Sequence, residues 1–130
     1  VADLKEKSIS LLSSSVLQSL NSAATATLYT VPAGKTAVIT NICIHTPSAS
    51  LSSVTSVAFG NNSATYNNWD TGRTVALVTG TTLCINLYPT LPDDSATQVT
   101  TICAENTTFK YLVTTGSAVT ATIDVFGYIY

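Results

Sequence analysis

The residues best suited to chemistry in this sequence are few and scattered. His45 is the single histidine, and Cys43 precedes it by two positions. On a strand the pair shares a face with Cβ atoms about 6–7 Å apart. That is long for a nucleophile and its base, so His45 reads as a hydrogen-bonded structural residue. The carboxylates are Asp3, Glu6, Asp70, Asp93, Asp94, Glu105 and Asp124. Glycoside hydrolysis needs two facing carboxylates about 5–9.5 Å apart, and no spacing here pairs any two. Asp93-Asp94 after Pro92 is a turn signature first and a calcium ligand pair second. Asp124, inside an apolar stretch, reads as a paired polar residue near a subunit contact, with no partner named by the sequence.

Cys43, Cys84 and Cys103 form an odd set without C-x-x-C spacing. Buried free thiols are the expectation, with one disulfide among the three left open. A thiolate metal site recruits more Cys or His at tight spacing. Gly34-Lys35-Thr36 has the tail of a phosphate loop, but the upstream glycine position is Tyr29. Asn61-Asn62-Ser63 and Asn106-Thr107-Thr108 are glycosylation sequons of a kind that arises by chance in such a chain. The best ligand-contact candidates are Tyr66 and Trp69 in Tyr66-Asn67-Asn68-Trp69-Asp70. Sugar rings stack on aromatics while amides bind hydroxyls; the competing reading folds Trp69 back as a cap on the core. No catalytic residue, metal ligand or cofactor is assigned, and an enzyme is not expected.

The elements that must carry these residues are strands. Ala26–Val31 alternates, and Pro32-Ala33-Gly34-Lys35 reads as a hairpin turn. Thr36–His45 is a long strand; strict alternation puts Ala37, Ile39, Asn41, Cys43 and His45 on one face. Val54–Phe59, Thr74–Val78, Leu83–Tyr88 and Gln98–Cys103 follow as strands between polar loops. Phe109–Thr114 and Val119–Tyr130 read as a hairpin around Thr115-Gly116-Ser117. About eight strands with no strong helix predict an all-β fold, an antiparallel β-sandwich that is jelly-roll-like.

Residues 1–24 differ and are expected to form an N-terminal arm ahead of a β-sandwich domain at 25–130. The arm holds four of the twelve charged residues, Asp3, Lys5, Glu6 and Lys7. Leu12, Val16 and Leu20 would stripe a helix, while Ile9 and Leu11 alternating with serines fit a strand equally well. Ile9, Leu12, Val16 and Leu20 are the candidate contacts for a neighbouring subunit or a shell, the alternative being packing on the same domain. The start at Val1 fits loss of an initiator Met or cleavage of a precursor, and Val1–Lys7 lacks a signal-peptide pattern.

Composition narrows the class. Of 130 residues, 45% are hydrophobic and only 9% charged, and 38 are Ser or Thr. Disorder needs the reverse balance. A net charge of −2 argues against a nucleic-acid partner, and no apolar run approaches the roughly 20 residues of a spanning helix. Edge strands so poor in lysine lack the usual guard against edge-to-edge pairing. Such a surface suits assembly, which points to a multimeric structural protein.

Two stretches, Leu28-Tyr-Thr-Val-Pro-Ala-Gly-Lys-Thr-Ala-Val-Ile-Thr-Asn-Ile-Cys-Ile44 and Thr120-Ala-Thr-Ile-Asp-Val-Phe-Gly-Tyr-Ile-Tyr130, resemble the opening and closing segments of small tailed-bacteriophage virion structural proteins. The resemblance implies a non-enzymatic decoration, fibre or baseplate protein, often trimeric. The expectation is a capsid decoration (cement) subunit on the virion surface, partnered with itself as a homo-oligomer, a trimer preferred, and with the major capsid protein, with no nucleic acid or membrane partner. Two alternatives stay open: a carbohydrate-binding or adhesin module, and an extracellular filament subunit that uses the arm for strand addition. Under the arm reading, removing residues 1–20 leaves the β domain folded.

Overall fold

The computed structural model describes residues 8–62, 64–89 and 101–130. They form nine strands and no helix: β1 Ser10–Ser19, β2 Thr25–Thr30, β3 Ala37–His45, β4 Ser56–Gly60, β5 Asp70–Arg73, β6 Cys84–Leu87, β7 Ile102–Cys103, β8 Thr108–Thr115 and β9 Thr120–Ile129. Sheet A runs β1-β9-β3-β6, with β7 also on β3, and sheet B runs β2-β8-β4-β5. Every strand pairing is antiparallel. With the two-residue β7 set aside, this is the order of a jelly roll, in which the chain repeatedly crosses between two packed sheets.

That crossing corrects two local expectations. The turn at 32–35 forms, with Lys35 N–H donating to the Pro32 carbonyl at 3.2 Å and Gly34 at φ 74. Such a positive φ at the third turn position suits glycine. Yet it joins β2 in sheet B to β3 in sheet A, so it is an arch between sheets and not a hairpin. The same holds for 115–117, which connects β8 to β9 across the sandwich. A third correction concerns 74–78, which is a turn region; the strand lies just before it, at β5. The Asp93-Asp94 turn and the start of the strand expected at Gln98 lie outside the described residues.

The core lies between the sheets and is built from Ile39, Ile42, Ile44, Phe59, Trp69, Phe109, Tyr111, Val113, Ile123 and Val125, among others. Strict alternation fails on β3 because the register with β9 slips between Ile39 and Asn41. A bulge puts two residues opposite one. Ala37 and Ile39 therefore point inward before it, and Ile42 and Ile44 after it, while Cys43 and His45 turn outward. Beside the bulge Gly127 lets β9 approach β3. A Cβ at this position would collide with the Val38 carbonyl and touch Leu12 Cδ1 at 3.1 Å.

The division at residue 24 does not separate two bodies. Residues 10–19 are strand β1, paired with β9 from Ser10↔Gly127 to Ser19↔Thr120. Leu12 and Leu20 are buried in the common core. Tyr111 Oη on sheet B donates to the Ser19 carbonyl at 2.9 Å, and Leu20 N–H donates to the Val119 carbonyl at 2.9 Å. No helical stripe exists: two register slips, at Leu11/Ser13 and Ser15/Gln18, bring Leu12 and Leu20 to the inside and leave Val16 outside.

Two stability experiments follow. Deleting residues 1–20 removes an edge strand and two core leucines, each leucine alone contributing about 2–5 kcal/mol. We expect loss of cooperative unfolding and a red-shifted Trp69 emission; a truncated chain that melts like the intact one would contradict the placement of β1. Gly127→Ala is expected to lower the denaturant midpoint by an amount equivalent to about 1–3 kcal/mol, whereas Gly34→Asn, at a left-handed turn position facing open space, stays within about 1 kcal/mol.

Candidate functional site

The outward face of sheet A carries the unusual chemistry. Its register stacks the side chains in rows. Ile102, Val38 and Tyr128 lie in one row, and Asn41, Phe126 and Leu11 in the next. Asn86, Cys43, Asp124 and Ser14 follow, then Cys84, His45 and Thr122. The face thus grades from an apolar, aromatic end to a polar end.

At the polar end, three strands converge on Asp124. His45 Nε2 lies 2.8 Å from Asp124 Oδ2, and Ser14 Oγ donates to Asp124 Oδ1 at 2.5 Å. His45 Nδ1 is 2.8 Å from Thr46 Oγ1. The carboxylate so ties the edge strand β1 to β3 through β9. Sequence reasoning placed His45 as a hydrogen-bonded structural residue and suspected that Asp124 had a partner. It could not name Ser14, because 110 positions separate the two and only the jelly-roll order brings them together.

The thiols divide by depth. Cys103 on β7 is buried against the core, and burial pushes its pKa up to about 11, with a hydrogen bond to Asn61 acting the other way. Cys43 is half-buried; burial first, then the neighbouring Cys84 and Asp124, hold its pKa above the usual thiol value. Cys84 is exposed. All three are free thiols.

The aromatic loop behaves differently from its ligand-binding reading. Trp69 is fully buried, its indole N–H donating to the Ile39 carbonyl at 3.1 Å beside the β3 bulge. Its ring meets Phe59 and Phe109 edge-on, with centroids 6.1 and 5.9 Å away. Trp69 is therefore a core cap and is unavailable for stacking on a ligand. Tyr66 is half-buried, with Lys110 Nζ 5.1 Å from its ring centroid. Asn62 organises the loop: its Oδ1 accepts from Asn67 N–H at 2.8 Å and Asn68 N–H at 3.3 Å, and its Nδ2 donates to Asn67 Oδ1. The asparagines that suggested sugar binding thus hold one another.

Of the four candidate arm contacts, Leu12 and Leu20 are in this chain's own core, while Ile9 and Val16 are exposed. Beside them stand two residues the sequence did not single out, Leu11 and Leu17, also exposed. A strand with two bulges hides which residues face out, since neither a period of two nor one of 3.6 survives. Among the described residues no group of three or more His, Cys, Asp or Glu could hold a metal ion. The chain matches no protein-family model, no curated protein and no solved structure.

Thiol labelling tests this geometry. At pH 8 a disulfide reagent is expected to modify Cys84 first, Cys43 more slowly and Cys103 only in denaturant. Because the folded Cys103 holds its proton more tightly than the unfolded one, its contribution to stability is complete below pH 9 and falls as pH rises towards 11. Rapid labelling of Cys103 in the native protein would contradict its burial.

Proposed function

We propose that this chain is a non-enzymatic structural subunit of a tailed-bacteriophage virion. It is a capsid decoration protein that self-associates on the capsid surface and clamps neighbouring major capsid proteins. The observation that carries this reading is the outer side of β1. Ile9, Leu11, Val16 and Leu17 are 64, 43, 64 and 77% exposed, and no charged residue occurs between Ser8 and Gly34. Leu17 also sits at φ 54, in the left-handed region that costs a leucine about 1–2 kcal/mol. The bulge that sets this backbone also turns Leu20 into the core, but nothing within the chain covers the Leu17 side chain.

The docking element is thus an edge strand of the sandwich and not a separate arm. It presents Ile9, Val16 and Leu17 to the shell, while Leu12 and Leu20 anchor it from behind. Stabilisation of the shell follows from mass action, since a subunit that binds only the assembled lattice favours that lattice. The filament reading by strand addition fits less well, because the slip at Ser15/Gln18 interrupts the ladder that an added strand would need. The carbohydrate reading loses its principal residue with the burial of Trp69.

The test is co-sedimentation with shells assembled from a tailed-bacteriophage major capsid protein. Leu17→Asn relieves the backbone strain, so we expect it to raise stability by about 1 kcal/mol while weakening shell binding at least tenfold. Unchanged shell binding by Leu17→Asn and by Val16→Lys would overturn the docking role of β1.

A further inference from the structure

We infer that the outward face of sheet A is covered in the native particle by a second copy of this chain, centred on Phe126, Tyr128, Val38 and Ile102. This rests on the structural-subunit reading above and adds the surface through which copies meet.

The two outer faces of the sandwich differ in kind. Sheet B turns Thr25, Thr27, Thr108 and Lys110 outward, with Leu112 opposite Thr25 its one large aliphatic residue in the β2–β8 register. Sheet A turns out Leu11, Phe126, Val38, Tyr128 and Ile102, with Tyr130 beside them, its ring 6.3 Å from that of Tyr128. Ile102 and Tyr130 are 54 and 55% exposed. A contiguous apolar patch of this sort on a sheet marks an interaction site, unlike a scattered exposed leucine.

Charge and area identify the occupant. Identical faces repel if they carry net charge. Across all five strands of sheet A, Asp124 is the single Asp, Glu, Lys or Arg, and its carboxylate is already engaged by His45 and Ser14 of the same chain. A partner of opposite charge would find nothing to complement, whereas a second neutral apolar face meets no penalty. The face is four strands wide, about 19 Å at the usual interstrand spacing, and β9 runs ten residues, about 34 Å, along it. Covering it buries an area on the order of the ~800 Å² per partner that stable complexes use.

The experiment is light scattering on the full chain after size-exclusion chromatography, with three variants whose folding is checked by circular dichroism. The wild type is expected at two or more times the chain mass. Tyr128→Lys and Ile102→Lys are each expected to reduce it to one chain, and Thr27→Lys on sheet B is expected to leave it unchanged. Tyrosine nitration supplies an independent reading that needs no variant: Tyr130, as exposed within the chain as Tyr88 (55 against 59%), should react several-fold more slowly than Tyr88. A monomeric wild type, an oligomer indifferent to both sheet A variants, or nitration of Tyr130 as fast as Tyr88 would each overturn the interface. Shell binding is scored separately. A wild type that is monomeric yet binds shells sinks this interface and leaves the decoration role standing, and a wild-type oligomer that the sheet A variants dissociate as expected but that ignores shells upholds the interface and sinks that role.

Discussion

Sheet A depends on one close approach. Strand β9 lies between β1 and β3, so the first and last strands of the fold are neighbours. The contact closes at Gly127, where the backbone of β3 comes so near that a Cβ would strike the Val38 carbonyl. The bulge in β3 next to this point turns Ile42 and Ile44 inward and sends Cys43 and His45 outward. It also lies beside the Ile39 carbonyl that receives the indole of Trp69. One missing side chain and one extra residue thus set which face of β3 is core and which is surface, and seat the largest core residue.

A consequence is that the outer face of sheet A is built by residues distant in sequence. Ser14, His45 and Asp124 meet there on three strands, next to an apolar area made by Phe126 and Tyr128 of β9, Val38 of β3 and Ile102 of β7. The polar end binds the edge strand β1 into the sheet, while the apolar end is unusually bare of charge. The proposed assembly uses both properties. The network holds β1 firm enough to present its exposed apolar side chains, and the neutral apolar face accepts another copy without repulsion.

Much of the architecture was legible in the sequence because β-branched and aromatic runs alternate between Gly, Pro and Asn punctuation. The all-β sandwich, the long strand at 36–45 and the closing strand at 119–130 follow from that pattern. What misled was any inference needing strict periodicity or nearest-neighbour pairing. Pro32–Lys35 and Thr115–Ser117 have hairpin chemistry, yet a jelly roll uses such turns to change sheets. The spacing of Leu12, Val16 and Leu20 mimics a helix because two bulges shift β1 past its partner. Trp69 beside asparagines resembles a sugar site until the bulge in β3 supplies a carbonyl for its N–H. The clustering of Ser14, His45 and Asp124 had no local signal, since long-range register alone creates it.

Under the proposed role, the bare, apolar surface around β1 exists to meet an assembled shell. The most direct measurement is a binding isotherm of the full chain on assembled shells beside one on the unassembled capsid protein. Saturable binding to shells is expected, at a fixed number of copies per shell, with at least a hundredfold weaker binding to the unassembled protein. Equal affinity for the two forms, or no binding to shells, would contradict that role.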